Sequence, residues 1–154
     1  MDGGCTCGEI RYRLTEAPLF THCCHCTWCQ RETGAAFAMN AMIETDRLHL
    51  LSGVPDYVTI PSQSGHGQHI ARCPTCRIAV WSYYGRLGRK MACVRVGTLD
   101  EPGKCPPGAH IFTSTKQPWL ALSDHLPAFE AFYNRQEMWP AASLARYAVL
   151  TAAS

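Results

Sequence analysis

Apolar and polar residues alternate along Gly8-Glu9-Ile10-Arg11-Tyr12-Arg13-Leu14, the two-residue period of a half-buried strand. Residues 36–43 are short and apolar and predict a buried strand. Residues 48–51 stop at Ser52-Gly53 and residues 56–60 stop at Pro61-Ser62, so both read as strands closed by turn residues. Residues 78–84 and 91–96 are rich in β-branched and aromatic side chains and join them. Helical signals are confined to the end of the chain. Residues 127–133 begin with a proline at a first helical position, where its missing N–H is harmless. Residues 141–150, beyond Trp139-Pro140, predict a second helix. The Gly- and Pro-rich stretches 62–67 and 101–108 are loops. The pattern predicts one mainly β domain over residues 1–154 with short C-terminal helices, and no repeat or low-complexity tract.

Composition narrows the class without changing it. Hydrophobic residues make up 47% of the 154 and charged ones 17%, the balance of a globular chain able to bury a core. A net charge of +2 gives no reason to expect nucleic acid or an acidic membrane as partner. No charged segment followed by an apolar run marks a secretory signal, and no apolar run is long enough to cross a bilayer. The expected address is therefore cytoplasmic. There, ten cysteines are metal ligands or reactive thiols rather than disulfides.

The cysteines fall into two groups. Cys5-Thr6-Cys7 and Cys73-Pro74-Thr75-Cys76 are pairs, and neither completes a tetrahedron alone. Together they offer the four thiolates of a closed structural zinc site, which would tie the start of the chain to a later hairpin. A redox role for Cys73-x-x-Cys76 expects a βαβ setting, and the flanks here read as strands. The second group is Cys23-Cys24-His25-Cys26-Thr27-Trp28-Cys29. Cys24, Cys26 and Cys29 have a spacing that lets one loop wrap a single ion. No further pair remains to close the site, since Cys93 and Cys105 are isolated. Three ligands and an open position suit a catalytic zinc; a fourth ligand from Cys23 or His25 would make it structural.

Three spaced motifs, Gly4-Cys5-x-Cys7-Gly8-x-x-Arg11-Tyr12, Cys24-His25-Cys26-x-x-Cys29-Gln30-Arg31-x-x-Gly34-Ala35 and Cys73-Pro74-Thr75-Cys76, carry a resemblance. Later come Val96-Gly97-Thr98-Leu99-Asp100, His110-Ile111-Phe112 and Lys116-x-Pro118-Trp119-Leu120. From about residue 3 to 129 the chain resembles the glutathione-dependent formaldehyde-activating enzymes and their centromere-protein-V-like relatives. The tail, residues 134–154, lies outside the resemblance. The family implies an Mss4-like β-sandwich or β-tent with a structural zinc on Cys5, Cys7, Cys73 and Cys76. It implies a second zinc on Cys24, Cys26 and Cys29, where glutathione and formaldehyde join as S-hydroxymethylglutathione, a carbon–sulfur lyase-type reaction. This chain departs from the family pattern at Arg77, where glycine is usual, at Arg72, where an aromatic residue is common, and at Ile70, often basic.

A zinc bearing three thiolates is a modest Lewis acid, so its expected use is to bind an incoming thiol as thiolate. Glutathione carries two carboxylates and calls for a cationic clamp, for which Arg31, Arg72, Arg77, Arg86, Arg89 and Lys116 are candidates by type. Arg31 is nearest the cluster in sequence. Trp28 and Trp119 are candidate pocket walls, and His25 is a candidate base or hydrogen-bonding support. Three other functions fit the same residues: an open zinc serving a different thiol or aldehyde, a non-catalytic zinc-stabilised binding module, and a thiol-redox protein using Cys23 or Cys24.

Overall fold

In a computed structural model, which describes residues 1–152, ten strands fall into two sheets. Strands β1 (Asp2–Gly4), β2 (Arg11–Leu14) and β5 (Leu48–Ser52) form a small antiparallel sheet in the order β1-β2-β5. The larger sheet holds β3 (Phe20–Cys24), β4 (Ala38–Glu44), β6 (Asp56–Ile60), β7 (Gln68–Arg72), β8 (Ala79–Tyr84), β9 (Met91–Arg95) and β10 (Ala109–Ile111). Its order is β10-β3-β4-β9-β8-β7-β6, antiparallel except where β10 runs parallel to β3. Three α-helices accompany them among the described residues: α1 (Thr27–Thr33), α2 (Arg135–Met138) and α3 (Ala141–Ala152). The protein is mainly β, as the periodicity predicts. Among the described residues no helix is long and apolar enough to cross a membrane. The last two positions of the expected tail lie outside the described residues.

The two faces of the large sheet have different work. On one face Ile10, Tyr12 and Leu14 pack against Ala41 and Ile43 of β4, Trp81 and Tyr83 of β8, and Ala92 and Val94 of β9. Strand alternation sends the intervening residues to the opposite face. There Met42, Met91, Cys93 and Ile111 pack with Tyr133 and Trp139 of the C-terminal segment. Burying each such large side chain stabilises the fold by about 1.5–3 kcal/mol.

Most strand expectations are met to within a residue or two, but two segments differ. Residues 8–10 are not strand: the chain turns at Gly8, Cys5 N–H donates to Ile10 O at 3.0 Å, and β2 starts at Arg11. Residues 127–133 form no helix. They run beside β10, with His110 N–H on Pro127 O and Phe129 N–H on His110 O, both at 2.9 Å. Strand β10 is three residues long at the sheet edge, so its outer backbone groups need partners, and this segment supplies them. The helix expected at 141–150 is present as α3.

Candidate metal centres and the adjoining cavity

Cys5 and Cys7 lie between β1 and β2, and Cys73 and Cys76 lie between β7 and β8. The two turns are built alike. Gly8 N–H donates to Cys5 O and Arg77 N–H to Cys73 O, each at 3.1 Å. Backbone amides also reach the first sulfur of each pair, from Ile10 to Cys5 at 3.3 Å and from Cys76 to Cys73 at 3.5 Å. The residue after each second cysteine is left-handed, Gly8 at φ 80° and Arg77 at φ 62°. All four sulfurs lie within 4.8 Å of one another, and Cys7 Sγ is 3.5 Å from both Cys5 Sγ and Cys73 Sγ. Tetrahedral zinc with bonds of about 2.3 Å sets sulfurs about 3.8 Å apart, so this donor set fits zinc. Backbone N–H groups of Ile78 and Cys7 hold the Cys76 thiol down at about 6, favouring the thiolate that a metal takes.

Cys24 ends β3, Cys26 caps α1, and Cys29 lies one turn into that helix. Cys26 Sγ takes the capping role usually held by a hydroxyl or carboxylate, accepting from Cys29 N–H at 3.3 Å. Helix α1 closes at Gly34, whose φ of 66° lets its N–H return to Gln30 O at 2.8 Å. Gln30 pins the loop to a distant segment. Its amide donates to His25 O at 2.6 Å and Thr115 O at 2.8 Å, and its oxygen accepts from Gln117 at 2.6 Å. The three sulfurs are buried and lie within 4.8 Å of one another.

Hydrogen bonds from Cys24 and then Cys29, with amides of Cys29 and Trp28, hold the Cys26 thiol down at about 3 despite burial. Cys24 is pushed the other way, because its proton is the one shared with Cys26 and Cys29. Three sulfurs gathered within 4.8 Å of one another repel as thiolates, so a cation would be needed to hold all three charged there. The donor set fits zinc on that ground.

Among the described residues, the donors within that reach stop at three. His25 turns away from the cluster, with Nε2 2.9 Å from His110 Nδ1, and its own Nδ1 has no partner. Cys23 is buried outside the cluster, where burial pushes its thiol up to about 11.

A cavity of about 340 Å³ opens beside these sulfurs. Alternation builds its floor: His22 and Cys24 from β3, Asn40 and Met42 from β4, Cys93 from β9, and Gln68 from β7 with Tyr84 opposite it on β8. Trp28 of α1 borders it, as do Arg86, Phe132, Arg135 and Tyr147. Two arginines and no carboxylate line it among the described residues, so its charge favours an anion.

His22 is fixed from behind. Trp139 Nε1–H donates to Tyr133 Oη at 3.0 Å, and Tyr133 Oη lies 3.2 Å from His22 Nδ1. Burial pushes the His22 imidazole down to about 3, so the ring is neutral. Tyr133 Oη accepts from Trp139, so its own O–H is free to donate to Nδ1; in that ordering the proton of His22 stands on Nε2.

Of the residues the sequence suggested for substrate, Arg86 and Trp28 border the cavity. Arg31 is exposed on α1 and Trp119 is 73% exposed, and neither borders it. Arg72 pairs with Glu32, and Arg77 pairs with Asp56 at 2.7 Å. Arg89 lies over the Tyr57 ring, and Lys116 donates to Gln117 O and Leu120 O. Arg135 and Gln68 were not among the candidates. Arg135 stands in the tail beyond the family motifs, and Gln68 in a strand without a clear alternating pattern, so neither carried a signal.

The sequence model of a family described as glutathione-dependent formaldehyde-activating enzyme matches residues 1–115. No curated protein matches the chain. Among solved structures, the crystal structure of a Rhodobacter sphaeroides protein is similar at a TM-score of 0.50 and 21% identity. The match covers 65% of this chain and 88% of that one. At that identity the likeness speaks for the fold alone.

Proposed function

The chain belongs to the glutathione-dependent formaldehyde-activating enzyme family, and from that premise we propose that it joins a thiol, glutathione, to formaldehyde at the Cys24, Cys26 and Cys29 cluster. The observation that carries the reading is the meeting of three buried sulfurs with a cavity bordered, among the described residues, by two arginines and no carboxylate. In the reaction the thiol sulfur forms a bond to the aldehyde carbon, the C=O π bond breaks, and the oxygen takes up a proton. Nothing is oxidised or reduced.

Cys24, Cys26 and Cys29 would hold the zinc, which when bound would favour the thiolate form of an incoming thiol at neutral pH. The residues of the chain bind and orient. Apolar walls from Met42, Ile111 and Phe132 exclude water, and the arginines draw in the carboxylates of the thiol. His22 offers Nε2–H as a donor for the oxygen that gains charge as the C–S bond forms. The Cys5, Cys7, Cys73 and Cys76 set binds a second, structural zinc in this reading.

The test is exchange NMR on formaldehyde and glutathione at equilibrium, comparing buffer, zinc-loaded protein and Cys26→Ser. Faster formation of S-hydroxymethylglutathione with the unaltered protein alone supports the reading, with one zinc lost from the variant and its fold kept. No acceleration by protein of confirmed metal content would sink it.

A further inference from the structure

The wall of the cavity farthest along the chain comes from residues beyond the family match: Phe132, Arg135 and Tyr147. Arg135 is held by rings rather than by acids. Its guanidinium carbon lies 5.2 Å from the Phe132 centroid, 5.5 Å from Trp139 and 5.1 Å from Tyr147. Stacking of this kind fixes the plane of a guanidinium but uses none of its five N–H donors. Arg135 Nε is buried without a hydrogen-bond partner, and no carboxylate among the described residues pairs with the group.

A second orphan borders the same cavity. Gln68 is 1% exposed, and its Oε1 is buried with no hydrogen-bond partner. A buried polar atom left unpaired is costly, and two of them on one largely apolar cavity ask for a complementary occupant. Arg135 calls for a planar anion that can meet its fork, and Gln68 Oε1 calls for an N–H donor. A carboxylate and an amide N–H in one small molecule is the chemistry of a short peptide.

We propose that Arg135 and Gln68 are the specificity-determining residues of this cavity, binding the carboxylate and an amide N–H of a peptidic thiol. The C-terminal segment thereby completes a substrate site whose sulfur end is built by the family core. The identity of the thiol as glutathione rests on the function proposed above; the carboxylate site does not.

Calorimetric titration of the full-length, zinc-loaded protein tests it with two probes that cannot react. Hippurate carries an apolar ring, an amide N–H and a carboxylate without sulfur, and S-methylglutathione carries the peptide. Both are expected to bind, and Arg135→Met is expected to weaken each by about 10- to 100-fold. Gln68→Glu, which keeps the shape and adds a negative charge, is expected to weaken them comparably.

Hippurate methyl ester, tried on the unaltered protein, is expected to bind far more weakly than the acid. This arm needs no variant to fold. Should Arg135→Met unfold, Arg135→Lys keeps the charge, loses the fork and is expected to give a smaller loss. Hippurate binding that depends on Arg135, with no binding of S-methylglutathione, leaves the carboxylate site standing and sinks the glutathione reading. Equal binding by folded Arg135→Met, equal binding of acid and ester, or binding of neither probe overturns the proposal.

Discussion

Arg77 follows the second cysteine of its turn in a left-handed conformation at φ 62°, where a Cβ costs about 1–2 kcal/mol. Its ion pair with Asp56 at 2.7 Å joins two exposed side chains and returns about 0–1 kcal/mol. Glycine would remove the Cβ penalty and add about 0.5–1 kcal/mol of unfolded-state entropy. Arg77→Gly is therefore expected to raise stability by up to about 1 kcal/mol, read as a higher urea midpoint with unchanged zinc content. Glu32 carries more. Its side chain is 3% exposed and meets Arg72 and Arg95, and Arg95 also donates to Asn40. Glu32→Gln would leave the buried Arg95 uncompensated and should cost about 3 kcal/mol in thermal or urea unfolding. Arg72→Ala should cost less, since Arg72 is partly solvated.

At the scale of elements, the C-terminal segment is fastened to the sheet at several points. Trp139 stacks on Phe20, and Tyr133 meets the same ring edge-on. Arg146 of α3 donates to both carboxylate oxygens of Glu44 at 2.8 and 2.5 Å and to Ala17 O at 2.8 Å. Burial works to raise the Glu44 carboxyl, yet the Arg146 hydrogen bonds, with the help of Arg47, hold it below its usual value of 4.5.

A carboxyl depressed in the folded state contributes fully above its unfolded value and loses that contribution as pH falls through the folded one. Glu44→Gln should therefore be less stable than the unaltered protein by about 2 kcal/mol at pH 7. The gap should close as pH drops below 4.5. Urea unfolding from pH 7 to pH 3 checks this, and a gap independent of pH would contradict it. Several family motif residues also act here structurally: Arg11 forks onto Asp100 at 2.8 and 2.5 Å, and Tyr12 Oη meets Thr98 Oγ1 at 2.7 Å.

For the whole molecule, the two cysteine groups stand in different mechanical positions. Cys5 and Cys7 adjoin the small sheet while Cys73 and Cys76 adjoin the large one, so a metal there would fasten one sheet to the other. Cys24, Cys26 and Cys29 all come from one stretch of chain, and a metal there would close only a local loop. Cys73→Ser is accordingly expected to lower the melting temperature by on the order of 10 °C. Cys26→Ser should move it little while removing one zinc. Melting curves read beside metal content decide it, and a large drop for Cys26→Ser alone would reverse the assignment.

The sequence by itself determined what is local. Strands at 48–51, 56–60, 78–84 and 91–96 were readable because turn residues close the first two and β-branched and aromatic side chains fill the last two. The cysteine groupings were readable because ligand spacing follows from turn geometry. The sequence did not determine what residues 127–133 would do, because the open edge of β10 competes with helix formation there. It gave no sign of α1, since Cys26 caps that helix through sulfur rather than a familiar capping residue.

Only the tertiary structure decided the cavity. Register across five strands brings His22, Asn40, Cys93, Tyr84 and Gln68 to one face. Packing of a segment with no recognisable motif brings Arg135 to meet them. Those contacts join residues far apart along the chain, and no local pattern encodes a distance between them.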